Sequence, residues 1–313
     1  MKPYAFGVDI GGTTVKIGLF ETEGNLLEKW EIPTRVEGNG NRIIPDIADA
    51  VNGKMKERKM QPEDVQGIGI GVPGPVLNES IVNRCVNLGW GIVDVSKEMR
   101  QLTGIENIAA GNDANVAALG EMWKGAGKGH ENVVMITLGT GVGGGIILNG
   151  KIVSGIHGAA GEIGHIKVSD DEELLCGCGK KGHLEQYASA TGIVRKVKEI
   201  LENTTQDSVL CHKDEITAKD VFDAARDGDE PASEAVRFAC RMLGQAMAHI
   251  ADVIDPEVFV IGGGVSRAGE ILLDGVKKYY RETVFHASEN TEIALAECGN
   301  DAGIYGAVKM ILP

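Results

Sequence analysis

Two stretches of the chain share one layout, and that repetition restricts the possible folds more than any other feature. Residues 4–10 (YAFGVDI) form a short apolar run that ends beside Gly11, Gly12, Thr13 and Thr14; a second run, residues 15–20, follows with Lys16 embedded in it. Residues 133–138 (VVMITL) give the strongest strand signal, and Gly139-Thr140-Gly141 and further glycines lead into another apolar run at 146–148. Strand, glycine turn, strand is a hairpin. Its tip exposes backbone N–H groups and hydroxyls, and small residues there let phosphate oxygens approach the main chain. Either tip alone is satisfied as an ordinary turn. Two in one chain imply a duplicated unit with phosphate held between the halves. Asp9, at the end of the first run, is placed to hold a magnesium ion through water. Neither tip is a Walker loop, because no GxGxxG precedes a helix.

The remaining pattern alternates strands and helices. Residues 46–59 have helical composition, and 65–72 (VQGIGIGV) read as a buried strand stopped by Pro73-Gly74-Pro75. Asn83, Asn87 and Trp90 fall in the loop beyond. Residues 108–110 lead into Gly111-Asn112-Asp113-Ala114-Asn115 and an alanine-rich helix. A carboxylate at that helix N-terminus is electrostatically favoured. A helix cap explains one Asn or Asp there, whereas the polar group on so apolar a background points to chemistry. Residues 189–202 read as a helix, 209–220 as a polar surface segment, and 231–254 as a long helix with Ala235, Ala239, Met242, Ala246, Met247 and Ile250 near helical spacing. Its methionines suit core or subunit-interface packing. Residues 258–261 form a strand ending in Gly262, Gly263 and Gly264, a third tip where adenine or ribose fits against bare backbone. Residues 301–311 close the chain as a helix.

One short region carries a different chemistry. Gly161-Glu162-Ile163-Gly164-His165 is followed by an acidic loop and then Cys176-Gly177-Cys178-Gly179-Lys180-Lys181-Gly182-His183-Leu184-Glu185. Thiolate and imidazole together suit zinc, which favours four tetrahedral ligands. With one residue between them, Cys176 and Cys178 are poorly placed for a disulfide. His165, Cys176, Cys178 and His183 are therefore the expected ligands. Four protein ligands make a structural site with no position left for a metal-bound water. Such a knot would fix Glu162, His165 and Glu185 as acceptors for the hydroxyls of a polyol.

Length and charge bound the rest. With 313 residues and 43% hydrophobic content the chain can bury a substantial core in one large or two linked domains. A net charge of −14 without a basic stripe argues against nucleic-acid binding. Six cysteines without a secretory signal point to a reducing compartment, so a cytoplasmic location is expected. No apolar run approaches membrane-spanning length.

In order along nearly the whole chain, the DIGGT turn, LGTGVGGG, GEIGH and CxCGxxGxxE resemble the ROK family of sugar kinases, transcriptional repressors and relatives. The family more often has a third cysteine where this chain has His183. Its repressor branch carries a helix-turn-helix ahead of the first glycine turn, for which Asp9 leaves no room. Within the kinases, HGAAGE at 157–162 and ASATG at 188–192 are similar to bacterial ATP-dependent glucokinases.

The resemblance implies an α/β, actin-like (ribonuclease-H-like) fold, two domains closing over a central cleft. The small domain would span 1–115 plus 300–313, and the larger one, 116–299, would carry the zinc motif. It implies transfer of the γ-phosphate of ATP to the 6-hydroxyl of glucose, with Asp113 as general base. Asn112, Glu162, His165 and Glu185, with Asn87, would hold sugar hydroxyls. Asp9, Gly11, Gly12, Thr13, Thr14, Lys16, Gly139, Thr140, Gly141 and the third tip would serve ATP and magnesium. His165 would serve both zinc and sugar. Homodimers or tetramers are common in the family. The open alternatives are a kinase for another hexose (N-acetylglucosamine, N-acetylmannosamine, mannose or fructose) and a non-catalytic sugar sensor.

Overall fold

The computed structural model describes residues 2–313. The chain forms two compact units. The first comprises the described residues through Asn132 together with Gly145–Gly161 and Glu297–Pro313; the second comprises Val133–Gly144 and Glu162–Ala296. In chain order the first stretch contributes β1 (Tyr4–Ile10), β2 (Thr14–Glu21), β3 (Leu26–Pro33), α1 (Ile43–Glu57), β4 (Val65–Val72), β5 (Val76–Leu77), β6 (Ile81–Cys85), β7 (Trp90–Asp94), α2 (Val95–Thr103), β8 (Ile108–Asn112) and α3 (Asp113–Lys124). There follow β9 (Val133–Leu138), β10 (Val142–Leu148), β11 (Lys151–Ile152), α4 (Glu185–Ala188), α5 (Ala190–Asn203), α6 (Ala218–Arg226), α7 (Glu230–Ile254), β12 (Val258–Gly262), α8 (Glu270–Arg281), β13 (Glu292–Leu295) and α9 (Ala302–Met310).

The two five-stranded sheets have the same order. One runs β3-β2-β1-β4-β8, the other β11-β10-β9-β12-β13. In the first, β1, β4 and β8 are parallel while β2 and β3 fold back antiparallel. In the second, β9, β12 and β13 are parallel and β11 returns antiparallel along β10. The duplication expected from the repeated hairpin therefore extends to all five strands. β4 and β12 are almost continuously apolar because each is flanked on both edges by parallel partners and covered on its faces.

Helix α9 defines the first unit. It lies so close to β4 that a Cβ on Gly69 would come within 1.7 Å of the Ala307 carbonyl oxygen. α3 and α9 also touch backbone to backbone, since a Cβ on Gly306 would lie 1.7 Å from the Val116 carbonyl oxygen. Only a residue without Cβ permits either approach. That contact moves the expected domain boundary. The expected boundary after residue 115 cuts α3, whereas all of α3 belongs to the first unit, as do Gly145–Gly161, and the C-terminal portion begins at Glu297 rather than at 300.

A buried carboxylate ties the same region together. Glu121 of α3 is fully buried, and its Oε2 accepts from the backbone N–H of Ala126 and Glu297, each at 3.0 Å, while its Oε1 accepts from Cys298 N–H at 2.8 Å. Backbone donors can stabilise an anion removed from water. Burial, aided by the Glu121 charge, pushes the neighbouring Cys298 thiol up to about 12.

In the second unit, α7 runs from an Asp229 cap, whose carboxylate accepts from Ala232 N–H at 3.0 Å, to Asp255 in the left-handed region. Met242 and Met247 are buried within the chain, so the core reading of these methionines holds. Residues 209–220 are not merely polar surface. They contain a short 3-10 turn and then the cap of α6, where Thr217 N–H donates to Asp220 at 2.9 Å and Asp220 N–H donates to Thr217 Oγ1 at 3.2 Å. Among the described residues, no helix is long and apolar enough to cross a membrane.

Substituting Gly306→Leu should force α3 and α9 apart and lower stability by on the order of 3 kcal/mol, read from urea denaturation, since overpacking against backbone has no side chain to yield.

Candidate active site

In the first unit, the β1–β2 tip closes as a tight turn with Gly11 N–H donating to the Thr14 carbonyl at 2.9 Å. Gly12, Thr13 and Thr14 are exposed at its apex. Thr34, which the sequence did not single out, braces the tip twice. Its hydroxyl donates to the Gly11 carbonyl at 2.7 Å, and its N–H donates to the Thr13 carbonyl at 2.9 Å. Asp9 pairs across the strands with Lys16. Burial raises the Asp9 carboxyl above its usual range, against the lowering pull of Lys16. Its carboxyl fits because Gly303 has no side chain; a Cβ there would lie 2.6 Å from Asp9 Cγ. Lys16 Nζ itself donates to the Asn300 carbonyl at 2.8 Å.

Asn112 and Asp113 divide two tasks that the sequence left open. Asn112 is the helix cap: its Oδ1 accepts from Ala114 N–H at 3.0 Å and Asn115 N–H at 3.2 Å. Its Nδ2 donates to the Gly74 carbonyl at 3.3 Å and so holds the Pro73-Gly74-Pro75 turn. Asp113 is then the first residue of α3, with Oδ1 accepting from Ala114 N–H at 2.8 Å. Its carboxylate sits at the positive end of the helix dipole. Asn87 is exposed in a short 3-10 turn between β6 and β7.

In the second unit, the cysteines and histidines do converge. Ligand atoms of His165, Cys176, Cys178 and His183 all lie within 4.8 Å of one another. Cys178 Sγ is 3.3 Å from His183 Nδ1, and Cys176 Sγ is 3.8 Å from His165 Nδ1. Tetrahedral zinc with ordinary Zn–S and Zn–N bonds requires sulfur-to-nitrogen separations of roughly 3.5 Å, so the spacing fits. Burial pushes the Cys176 thiol up, so a thiolate there needs a compensating cation, and it pushes the His183 imidazole down, which favours the neutral ring that ligates metal. His165 directs Nδ1 at the cluster and Nε2 toward Glu162, 3.9 Å from its Oε2.

The acidic loop before the cysteines is strapped down by an ion pair. Arg195 Nη2 donates to Glu172 at 2.5 Å and to the Gln186 carbonyl at 2.9 Å. The Arg195 hydrogen bond is the main reason that the Glu172 carboxyl is held down to about 2.

The Gly139 turn stands on the segment after the cluster. Ala190 N–H donates to the Gly139 carbonyl at 2.8 Å, Thr191 Oγ1 donates to the Thr140 carbonyl at 2.8 Å, and Val142 N–H donates to Glu185 Oε2 at 3.1 Å. Of the third tip, Gly262 is buried at the end of β12, and Gly263 takes a φ of +86° against the Leu138 carbonyl. Gly264 joins Gly139, Thr140, Thr217, Phe222 and Val265 around a cavity of about 550 Å³. That volume is in the range of small-molecule sites. Thr217 and Phe222 were missed by sequence reading, although T-A-K-D at 217–220 is a recognisable helix-start pattern.

Known proteins of similar sequence and structure identify the family. The ROK family profile matches residues 5–312. The chain belongs to the ROK family. It is 42% identical over 305 residues to a glucokinase of Halalkalibacterium halodurans, covering 96% of this chain and 92% of that one. It is 36% identical to a glucokinase of Streptomyces coelicolor, covering 97% and 96%. A solved ROK family glucokinase from Streptomyces griseus, in complex with glucose and AMPPNP, superposes with a TM-score of 0.76 at 36% identity, covering 98% of each chain. The actin-like, two-unit fold expected of a ROK sugar kinase is the one observed.

Two measurements test this local reading of the ROK chain. Asn112→Ala should cost about 1 kcal/mol of stability through loss of the cap, measured by chemical denaturation. Glu172 has a depressed folded pKa, so its pairing stabilises above the usual 4.5 and is lost as pH falls from there toward about 2. Arg195→Met should therefore be less stable than the parent at pH 6, with the gap closing as the pH approaches 2 in urea titrations.

Proposed function

We propose that the chain is an ATP-dependent glucokinase that transfers the γ-phosphate of ATP to the 6-hydroxyl of glucose. The observation that carries the reading is the Streptomyces griseus relative, whose structure was solved with glucose and an ATP analogue and matches this chain over 98% of its length. In the proposed reaction Asp113 accepts the proton of the 6-hydroxyl as that oxygen bonds to the γ-phosphorus and the bond from phosphorus to the β,γ-bridging oxygen breaks, releasing ADP. Phosphoryl transfer demands mostly positioning and charge stabilisation, which suits glycine turns rich in backbone donors.

Within this proposal Glu162, His165 and Glu185 bind sugar hydroxyls, joined by Asn112 and Asn87. Lys16 and the turns at Gly11–Thr14 and Gly139–Gly141 attend the phosphates, and the cavity beside Gly264 takes the nucleoside. Asp9 would hold magnesium, which when bound neutralises phosphate charge. The His165, Cys176, Cys178 and His183 cluster would hold a structural zinc ion; the substitution of His183 for the family's usual cysteine keeps a competent ligand. The working form is a homodimer or homotetramer in the cytoplasm, feeding glucose into carbohydrate metabolism.

Sugar-dependent ADP release with ATP, magnesium and a panel of hexoses is the direct test. Turnover should be strongest on glucose; a clear preference for N-acetylmannosamine or another hexose would move the substrate, and no turnover on any sugar would favour the sensor. Asp113→Asn should lower kcat by ~100-fold or more with little change in melting temperature; near-normal turnover would reject its role as base.

A further inference from the structure

The second phosphate turn is built on the Cys/His module. Four contacts made by residues 164–191 hold the four-residue stretch Gly139 to Val142. Two are the hydrogen bonds from Ala190 N–H and Thr191 Oγ1 to the carbonyls of Gly139 and Thr140. The third is the Glu185 carboxylate accepting from Val142 N–H; the approach is so close that a Cβ on Gly141 would lie 2.2 Å from Glu185 Oε2. The fourth is Gly164, where a Cβ would lie 2.1 Å from the Val142 carbonyl oxygen.

Two of the four contacts begin beside a cluster residue. Gly164 precedes His165, and Glu185 follows His183 after a single leucine. The other oxygen of Glu185, Oε1, lies 3.6 Å from Cys176 Sγ. Besides the cluster, the module is tied down by the Arg195–Glu172 pair and by Gln186 Nε2 donating to the Leu174 carbonyl at 3.0 Å. Between Ile166 and Leu184 it contains no helix or strand of its own and is otherwise held by backbone bonds such as Cys176 N–H to the Lys180 carbonyl and Val168 N–H to the Gly182 carbonyl, each at 2.7 Å. A glycine-rich turn has no intrinsic rigidity, so its conformation is set by what it rests on.

We propose that metal occupancy of the Cys/His cluster sets the affinity for nucleotide, with Glu185 as the positioning residue that transmits order from the cluster to the Gly139–Val142 turn. This rests on the reading of the cluster as a zinc site and of the turn as a phosphate loop. It assigns Glu185 a second task, separate from any contact with sugar, and one that persists when no sugar is present.

The test uses the whole protein without sugar. Zinc content is measured by atomic emission, and the protein is then compared zinc-loaded, stripped by chelator, and reloaded. Two quantities are read: amide hydrogen exchange at residues 139–142 and the Kd of Mg-ADP by calorimetry. Stripping should speed exchange at 139–142 and weaken ADP by about tenfold or more, the scale found for residues that support a metal site, and reloading should restore both. Exchange along α7 reports whether the fold persists. Should stripping unfold the chain, zinc-loaded Glu185→Ala decides, because it removes the acceptor of Val142 N–H. It should retain zinc while losing protection at Val142 and ADP affinity. A stripped, folded protein with unchanged ADP affinity, or a Glu185→Ala protein indistinguishable from the parent, overturns the proposal. Protein that takes up no zinc rejects the metal-site reading itself, a result distinct from zinc bound without effect on the turn.

Discussion

The first unit depends on backbone meeting backbone. At Gly306 and Gly69, helix α9 comes so near α3 and β4 that any side chain would overlap a carbonyl. Dispersion is collectively large when surfaces meet this closely, and geometry at such a contact leaves little freedom for sliding. The Glu121 carboxylate then fastens the far end of α3 to the chain entering α9 through Glu297 and Cys298. α3 is thus held along its length, with its start capped by Asn112. The proposed base, Asp113, sits at the first residue of this fixed helix.

The glycine turns solve the opposite problem. A turn that must let phosphate oxygens reach the main chain has to be made of residues that do not stiffen it. The two hairpin tips obtain stiffness from different sources. The first is braced locally by Thr34, just past the end of β3, through both its hydroxyl and its N–H. The second is held by Glu185, Ala190 and Thr191, which lie far along the chain. The duplicated sheets therefore carry unequal tips, and the second rests on the segment that follows the cysteine and histidine cluster.

Much of this was legible beforehand where a signal was local. β1, β4 and β9 were read with the bounds observed, because buried parallel strands are unbroken apolar runs with glycine or proline at their ends. The four cluster residues were chosen on spacing and chemistry, and the fold brings all four together. β3 was missed because it is an edge strand with no fully buried residue. The start of α6, residues 218–220, falls in the stretch expected to be polar surface, since its charged residues mask a start signal at Thr217. β10 starts inside the glycine run, at Val142, four residues before the apolar stretch that suggested it. There the pairing with neighbouring strands overrides the weak strand preference of glycine.

What the sequence determined by itself was the repeated hairpin, the identity of the cluster residues and the family, because each rests on residue type at short spacing. What only the tertiary structure decided was partnership over long separations. Asn112 Nδ2 reaches the Gly74 carbonyl, Lys16 reaches the Asn300 carbonyl, and Glu185 grips Val142. These bonds join residues that composition and periodicity treat as independent. Their partners are backbone groups, which every residue carries alike, so nothing in the side-chain pattern marks which N–H or carbonyl will be met.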